Sequence, residues 1–434
     1  MNFTHDFTLV PEDELKLAEE KLSTEIVAMN NATLTAYESN YASINLSLDF
    51  KMRESVKSLA LRMNDAEAIV VIGIGGSNLG TIAVHEAING KFYNINHKPK
   101  VFFADTVDTD SMSSIISIIT SYLQNGKRVI LNVISKSGGT TETIANFEVL
   151  LAVLQKYRPD YKKDVVVTTD EDSAFWHVAK NEGFEVLGMP KKVGGRYSVF
   201  SAVGLFPLAI LGVNIDELHK GAADMRNECL KSFDKNPAAI SAASQYHHYT
   251  RGKNISDTFL FVSDFESIGK WYRQLMGESI EKEYDKSHQN RVLCGITPTV
   301  SVGSTDLHSM AQLYLGGPYD KFTTFVILKK DSGLIVPNMP VYDSLVPFIQ
   351  NKSLPVLMNA IIAGVQTAFR EQHRPYCTVI LPNRSAATIG ALLQWKMMEM
   401  IYLGALLGVD PFDQPNVEQY KIETKRIMKE QSSM

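Results

Sequence analysis

From residue 66 onward, short apolar runs alternate with stretches in which apolar residues recur at helical spacing. Five runs are apolar at nearly every position, as in strands buried on both faces, and they cover residues 68–74, 101–104, 129–134, 165–168 and 184–187. The intervening periodicity predicts helices over 78–89 and 111–123, and a third that begins near Gly139 or Thr140. This alternation predicts βαβ units and a parallel sheet that helices cover on both faces.

A second set of alternating elements follows a long helical stretch over 199–249. Its apolar runs predict strands over 258–262, 292–294, 322–328 and 378–381. Its helical periodicity predicts helices over 268–282, 306–314, 354–371, 386–407 and 416–429. The two halves of the chain share this architecture, but no residue-level repeat relates them.

Residues 1–65 are more polar and have a helical pattern, and we interpret them as a covering arm. The expected fold is therefore α/β, with two three-layer αβα sandwich domains that have mainly parallel sheets, an N-terminal helical arm and a C-terminal helical tail. The expected boundaries place the arm at 1–65, the two domains at 66–235 and 236–410, and the C-terminal helix at 411–434.

The composition is that of an ordinary globular protein, since 45% of the 434 residues are hydrophobic and 21% are charged. The net charge is −5 and no Lys/Arg tract occurs, so nucleic acid is not an expected partner. An acidic protein that binds an anion must do so through a local site. The three cysteines, Cys229, Cys294 and Cys377, lie far apart without metal-ligand spacing, which fits buried thiols in a reducing compartment.

No membrane segment is expected. The N-terminus lacks a basic start followed by an apolar core, so no signal peptide is predicted. The most apolar window, 199–213, contains Pro207 and is shorter than the roughly 20 residues that span a bilayer. It is typical of a buried core helix, and we expect a cytoplasmic protein.

The segment 135–143 joins a predicted strand to a predicted helix and has the chemistry of an anion site. Four hydroxyls and one ammonium lie within seven residues: Ser135, Lys136, Ser137, Thr140 and Thr141. Free backbone N–H groups and the positive end of the helix dipole also face such a loop. The alternative is a well-capped turn with no ligand, because Ser and Thr are ordinary N-cap residues.

The segment 73–80 is a second glycine-rich loop between a strand and a helix. A dinucleotide fingerprint requires a third Gly or Ala at the place that Asn78 occupies, so a nicotinamide cofactor is not expected. Gly75 and Gly76 would still let a ligand approach the backbone closely, with Ser77 as a further polar contact. The alternative is a tight turn and nothing more.

Four more side chains are candidates for chemistry. Arg196 follows two glycines on a loop, although it could be an ordinary surface arginine. Gln274 and Glu278 are four residues apart on one helix face, at the edge of its apolar stripe, where a carboxylate can face a cleft. Most such glutamates are simply solvated. His308 lies in the first turn of a predicted helix, and single histidines are usually structural.

Taken together, these segments resemble the phosphoglucose isomerase family, whose members contain two sugar-isomerase (SIS) domains. The matching segments, in the order found in the family, are GIGGSNLG at 73–80, SKSGGTTET at 135–143, GGRYS at 194–198, GES at 277–279, STDLHS at 304–309 and DQPNVEQYK at 413–421. They are spread over nearly the whole chain. One departure occurs before Lys282, where the family often has Gly and this chain has Glu281.

The resemblance implies an isomerase that interconverts glucose 6-phosphate and fructose 6-phosphate. It implies that loop 135–140 and Ser77 hold the sugar phosphate, that Glu278 moves a proton between C2 and C1, and that Arg196 stabilises the enediolate. It further assigns ring opening to His308 and Lys421, and sugar positioning to Gln274. A homodimer is the family's usual assembly, with one histidine per site supplied by the neighbouring subunit.

The residue types agree with this chemistry, since aldose–ketose isomerisation needs one proton-transferring carboxylate and a cation near the developing oxyanion. Neither a redox cofactor nor a metal is expected, and no ligand cluster is evident in the sequence. Two alternatives stay open. One is a broader isomerase that also accepts mannose 6-phosphate, and the other is an inert sugar-phosphate-binding module. Against the second, Glu278, Arg196, His308 and Lys421 are all present.

Overall fold

A computed structural model of the chain describes residues 2–330 and 332–431. Within these residues the chain forms two five-stranded sheets and a separate two-stranded sheet, with helices packed on the large sheets. This arrangement confirms the predicted α/β class with mostly parallel strands. No helix among the described residues has the length and apolarity needed to cross a bilayer.

The N-terminal segment comprises β1 (Asn2–Phe7), α1 (Glu12–Ala32) and α2 (Phe50–Leu61). The expectation of an entirely helical arm was wrong at its start, because β1 pairs antiparallel with residues 376–380 at an edge of the second large sheet. Two aromatic contacts accompany this pairing, Phe3 against Trp395 and Phe7 against Tyr376. The sequence of this short polar segment does not indicate a strand. Its strand conformation depends on the tertiary contacts that it makes.

The first large sheet is parallel, with the strand order β3-β2-β4-β5-β6. Its strands are β2 (Ala68–Ile72), β3 (Lys100–Ala104), β4 (Val129–Ile134), β5 (Val165–Asp170) and β6 (Glu185–Met189). Its helices are α3 (Leu79–Asn89), α4 (Tyr93–Asn96), α5 (Thr109–Gln124), α6 (Thr141–Tyr157) and α7 (Ala174–Glu182). All five predicted strands are confirmed, and every residue of β2 and β4 is buried, as expected of central strands covered on both faces.

Three helices follow where one long helical stretch was predicted: α8 (Ala202–Ile210), α9 (Ile215–Glu228) and α10 (Pro237–Tyr249). Gly212 has a φ of +76°, and Asn214 caps α9 by accepting a hydrogen bond from the Glu217 amide at 3.1 Å. Asn236 caps α10 in the same way, directly before Pro237. Local capping chemistry therefore divides a segment that is apolar enough to be helical throughout.

The second large sheet has the order β1-β12-β11-β7-β10, and only β1 is antiparallel. The strands after α10 are β7 (Ile255–Leu260), β8 (Lys282–Tyr284), β9 (Arg291–Cys294), β10 (Thr297–Val302), β11 (Lys321–Leu328) and β12 (Tyr376–Leu381). The helices are α11 (Glu266–Ser279), α12 (Ala311–Gly316), α13 (Leu354–Glu371), α14 (Ala386–Leu407) and α15 (Glu418–Gln431). The strand predicted near 292–294 belongs to the small β8–β9 sheet instead.

Strand β10 was not predicted because its composition is polar. It contains Pro298, and Thr299 and Ser301 donate hydrogen bonds to the buried Asp257 carboxylate on β7. Proline is tolerated in β10 because this strand lies at the edge of the sheet.

Helix α14 lies between the two halves of the molecule. It is buried at nearly every position and packs against α9, α10, α1, α11 and α3. A helix that is apolar on all sides has to be enclosed by other elements. Helix α11 of the second half also packs directly on α3 of the first half. These contacts bring the carboxyl edge of the first sheet against α11.

Candidate active site

Two loops of the first sheet lie side by side at its carboxyl edge. β2 and β4 are neighbouring parallel strands, so the segments that follow them, 73–78 and 135–140, emerge at the same edge. A Cβ on Gly73 would lie 2.7 Å from the Ser77 Cβ and 3.0 Å from the Ile134 carbonyl oxygen. The 73–78 turn therefore contacts the end of β4, directly before loop 135–140, at the edge where ligands bind in open α/β sheets.

Loop 135–140 is closed by its own hydroxyls. Ser135 Oγ accepts a hydrogen bond from the Gly138 amide at 3.2 Å, and Ser137 Oγ accepts one from the Gly139 amide at 3.3 Å. Gly138 has a φ of +71° and lies against Phe175, so a side chain there would clash as well as strain the backbone. Helix α6 begins directly after the loop, which places its positive dipole end at these hydroxyls.

Lys136 of this loop lies beside Asp170 at the end of β5. Burial raises the pKa of Asp170, and the positive charges of Lys136 and Lys191 oppose that rise. The carbonyl oxygen of Lys136 accepts hydrogen bonds from the Asp170 amide and the Thr169 hydroxyl. The ammonium therefore belongs to a small charged group beside the loop.

On their Cβ side, the glycines of the 73–78 turn leave room for other parts of the protein. A Cβ on Gly76 would lie 2.1 Å from the carbonyl carbon of Gly195, so two backbones are in close contact there. Ser198 Oγ also donates to the Gly76 carbonyl at 3.3 Å. Gly75 has a φ of +60°, and its Cβ would lie 2.9 Å from Gln274 Nε2. The turn thus anchors both the 194–198 loop and α11.

Glu278 lies in the last turn of α11, between an amide and a guanidinium. Gln274 Nε2 donates to Glu278 Oε1 at 3.0 Å, as their four-residue spacing allows. Arg196 Nη1 lies 3.5 Å from Glu278 Oε2. The Glu278 side chain is 28% exposed and the Arg196 side chain 2%, so the carboxylate borders solvent while the cation does not.

Arg196 is buried, which excludes the alternative of an ordinary surface arginine. Its other hydrogen bonds go to neutral oxygens: Ser279 Oγ at 2.8 Å, Gln414 Oε1 at 3.0 Å, Pro411 O at 2.6 Å and Asp413 O at 3.1 Å. Tyr197, whose pKa is raised by burial, shares Ser279 as a partner at 2.8 Å. A buried cation that is satisfied mostly by neutral acceptors keeps its positive potential for a nearby anion.

Several of these contacts were missed in the sequence reasoning. Ser279, Asp413 and Gln414 lie inside the GES and DQPNVEQYK segments, but their bonds to Arg196 join residues far apart in the chain. Lys282 was assigned to the helix of Glu278. The helix ends at Ser279, so Lys282 lies on β8 and its side chain returns to the Glu278 carbonyl.

His308 is not in the first turn of an α-helix. It follows a short 3₁₀ turn, Thr305–Leu307, and α12 begins only at Ala311. The turn is fixed by Asp306, whose Oδ2 accepts from the Val302 amide at 2.7 Å. His308 is exposed, and within the described residues no hydrogen bond or ion pair joins its imidazole to Glu278 or Arg196.

Lys421 is also separate from the group around Glu278. It lies on α15, where its Nζ pairs with Glu418 Oε1 at 2.7 Å, and none of the described residues of α15 is buried. The structure therefore brings Glu278, Gln274 and Arg196 together with the 73–78 turn, which contacts the end of β4 directly before loop 135–140. Within the described residues, no group of three or more His, Cys, Asp and Glu side chains is arranged to hold a metal ion.

Comparison with known proteins gives consistent matches over most of the chain. The family model for phosphoglucose isomerase matches residues 51–320. A glucose-6-phosphate isomerase of Carboxydothermus hydrogenoformans is 34% identical over 369 residues, which is 83% of this chain and 78% of that protein. The structure of a hypothetical protein from Thermus thermophilus superimposes with a TM-score of 0.86 at 27% identity, over 98% of this chain and 99% of the other. A glucose-6-phosphate isomerase from Chlamydia trachomatis has the same fold, with a TM-score of 0.81 at 18% identity over 100% and 89% of the two chains.

Proposed function

The chain belongs to the phosphoglucose isomerase family, and we propose that it interconverts glucose 6-phosphate and fructose 6-phosphate, a step of glycolysis and gluconeogenesis. The reaction moves a proton between C2 and C1 of the open-chain sugar through an enediolate. The observation that carries this proposal is the Glu278 carboxylate, which lies between Gln274 and Arg196, with the 73–78 turn in contact with Gln274.

Glu278 is the proposed base. One carboxylate oxygen accepts from Gln274 at 3.0 Å, which orients the group, and partial exposure of the side chain gives a substrate access. A base for this reaction must take the proton from one carbon and return it to the next, which one carboxylate can do for both carbons. Gln274 would also position the sugar.

Arg196 is the proposed stabiliser of the enediolate. Its guanidinium is held by four neutral oxygens and is nearly inaccessible to solvent, so it need not reorganise when negative charge develops. In a water-poor surrounding this charge acts more strongly on a nearby oxyanion than it would in bulk solvent.

The phosphate of the sugar would bind at the carboxyl edge of the first sheet. Its proposed contacts are the hydroxyls and amides of loop 135–140, with the side chains of Ser135, Lys136, Ser137 and Thr140, and the neighbouring turn at Gly76 and Ser77. The start of α6 at the loop supports this assignment, because helix N-termini attract anions. The 73–78 turn contacts the end of β4 through Gly73 and Gln274, the hydrogen-bond partner of Glu278, through Gly75.

His308 and Lys421 are the proposed groups for ring opening, and both lie outside the group around Glu278. We propose that the enzyme is a cytoplasmic homodimer in which His308 completes the site of the partner. A large exposed apolar segment supports a self-association surface: Leu334, Ile335, Val341, Tyr342, Leu345 and Phe348 are all exposed, the last at 88%. Each large sheet with its helices would form one sugar-isomerase domain, at 66–235 and 236–410.

A coupled assay tests the proposal. The purified protein should form glucose 6-phosphate from fructose 6-phosphate at the same rate with and without EDTA, and NAD should give no thermal shift. Binding of fructose 6-phosphate without turnover would support the inert binding module instead. Equal turnover of mannose 6-phosphate would support the broader isomerase.

A further inference from the structure

Lys282 is a buried cation at the C-terminal end of α11, next to the backbone of Glu278. Its side chain is 5% exposed. Its Nζ donates to the Glu278 carbonyl oxygen at 2.7 Å and to the Asp413 carbonyl oxygen at 2.6 Å, and lies 3.1 Å from Asp413 Oδ1. The ammonium therefore joins the C-terminal end of α11 to the segment 411–414.

The Asp413 carbonyl oxygen is shared by two cations. It accepts from Lys282 at 2.6 Å and from Arg196 Nη2 at 3.1 Å. Burial lowers the pKa of Lys282 and the nearby Arg196 charge lowers it further, while Asp413 and Asp410 oppose both effects. Like charges this close are tolerated only if they are held by well-placed acceptors.

The contact between Lys282 and the Glu278 carbonyl also provides a hydrogen-bond donor for the C-terminal end of α11. Helix α11 ends at Ser279, so the Glu278 carbonyl is among the last four, which have no partner within the helix. A lysine that caps such a carbonyl is favoured by the negative end of the helix dipole. Lys282 thus acts on the backbone of the same residue whose carboxylate faces Arg196.

We propose that Lys282 is a positioning residue for the isomerisation. By tying the backbone of Glu278 to the 411–414 segment that also receives Arg196, it fixes the separation of the carboxylate and the guanidinium. The inference rests on the proposed isomerase function. An error of about 1 Å in such a separation can lower the rate by about 10²-fold. Loss of the Lys282 contacts should therefore lower kcat more than it changes KM.

The test uses Lys282→Met and Lys282→Ala, with Lys270→Met as the matched control. Lys270 lies on α11, the helix whose end Lys282 contacts, is 47% exposed and pairs only with Glu266 among the ion pairs of the described residues. We expect Lys282→Met to lower kcat by about 10- to 100-fold with KM for fructose 6-phosphate changed by less than about threefold. Lys270→Met should leave both constants unchanged.

Chemical rescue with added amines distinguishes a positioning role of Lys282 from a general loss of protein stability. Ethylammonium should restore part of the kcat of Lys282→Ala by occupying the vacated site, whereas tetramethylammonium, which cannot donate a hydrogen bond, should not. Lys282→Gln, which retains a neutral donor, is the second variant in case the other two do not fold. Its kcat is expected between those of the wild type and Lys282→Met.

A crystal structure of the Lys282→Met or Lys282→Gln protein adds a readout that does not depend on activity. The Arg196 Nη1 to Glu278 Oε2 separation, 3.5 Å here, should increase by about 1 Å or scatter over several conformers. An unchanged separation, an unchanged kcat in an active enzyme, or a loss of kcat that ethylammonium does not relieve would each overturn the inference. A wild-type protein without isomerase activity would instead refute the proposed function.

Discussion

Glu278 and Arg196 approach to 3.5 Å although they come from opposite halves of the chain and differ in exposure, 28% against 2% for the two side chains. The guanidinium is fixed by the 411–414 segment and by Ser279, so the more exposed carboxylate is the partner that can adjust when a substrate enters. A proton-transferring group needs this access, and a group that stabilises charge benefits from a fixed position.

Replacing Glu278 by Gln should preserve the fold and lower kcat by at least about 10², the usual effect of losing a general base. The amide is nearly isosteric but cannot accept the proton from C2. Steady-state kinetics with fructose 6-phosphate provide the measurement. Glu266→Gln, at the other end of the same helix, is the control and should retain wild-type kcat. A Glu278→Gln enzyme with undiminished kcat would remove this residue from the mechanism.

An analogue with a fixed negative charge should bind more tightly than the substrate. We expect 5-phosphoarabinonate, which mimics the enediolate, to have a lower Kd than fructose 6-phosphate because Arg196 is preorganised for that charge. Isothermal titration with both ligands measures the difference, and Arg196→Met should reduce it. Equal affinities in the unmodified protein would contradict the role of Arg196.

Lys136→Ala should weaken all phosphorylated ligands by a similar factor, with kcat unchanged, because the lysine would contribute to ground-state binding of the phosphate. Lys191→Ala is a matched control, since Lys191 also faces Asp170 but does not belong to loop 135–140. Its KM should be that of the wild type. A fall in kcat alone after Lys136→Ala would argue that this residue acts in the chemical step.

Mixing two inactive proteins tests whether His308 acts across a dimer interface. If each site combines Glu278 of one chain with His308 of the other, Glu278→Gln and His308→Ala homodimers are both impaired at every site. After subunit exchange, about half the dimers are hybrids with one intact site, so roughly a quarter of wild-type activity should return. If exchange is verified by native mass spectrometry and activity stays flat, the shared site is refuted.

Gly76→Ala should destabilise the protein and abolish activity, because its Cβ would lie 2.1 Å from the Gly195 carbonyl carbon and separate the Arg196 loop from the turn. Gly364→Ala is the control, since nothing lies within 4 Å of a Cβ there and the residue is inside α13. It should stabilise the protein by about 0.5–1 kcal/mol. Thermal unfolding of both variants provides the measurement, and a Gly76→Ala protein as stable as the wild type would contradict the close contact.

The first sheet was predictable from the sequence because its central strands are buried on both faces and so consist almost entirely of apolar residues. Strand β10 was not, since it is polar and contains Pro298, and only its pairing with β7 makes it a strand. The residues of the candidate site were proposed from motifs, but the burial of Arg196 could not be inferred from them. Its acceptors at Pro411 and Asp413 lie more than 200 positions later in the chain, beyond the reach of any local pattern.

The pairing of β1 with β12 has a consequence for how the chain is made. Residues 2–7 are synthesised more than 360 residues before their partners at 376–380. The nascent chain therefore carries an unpaired strand until β12 has been synthesised, and only then can β1 join the second sheet. The first sheet, whose strands all lie within residues 68–189, has no such requirement and can assemble while the remainder is still being added.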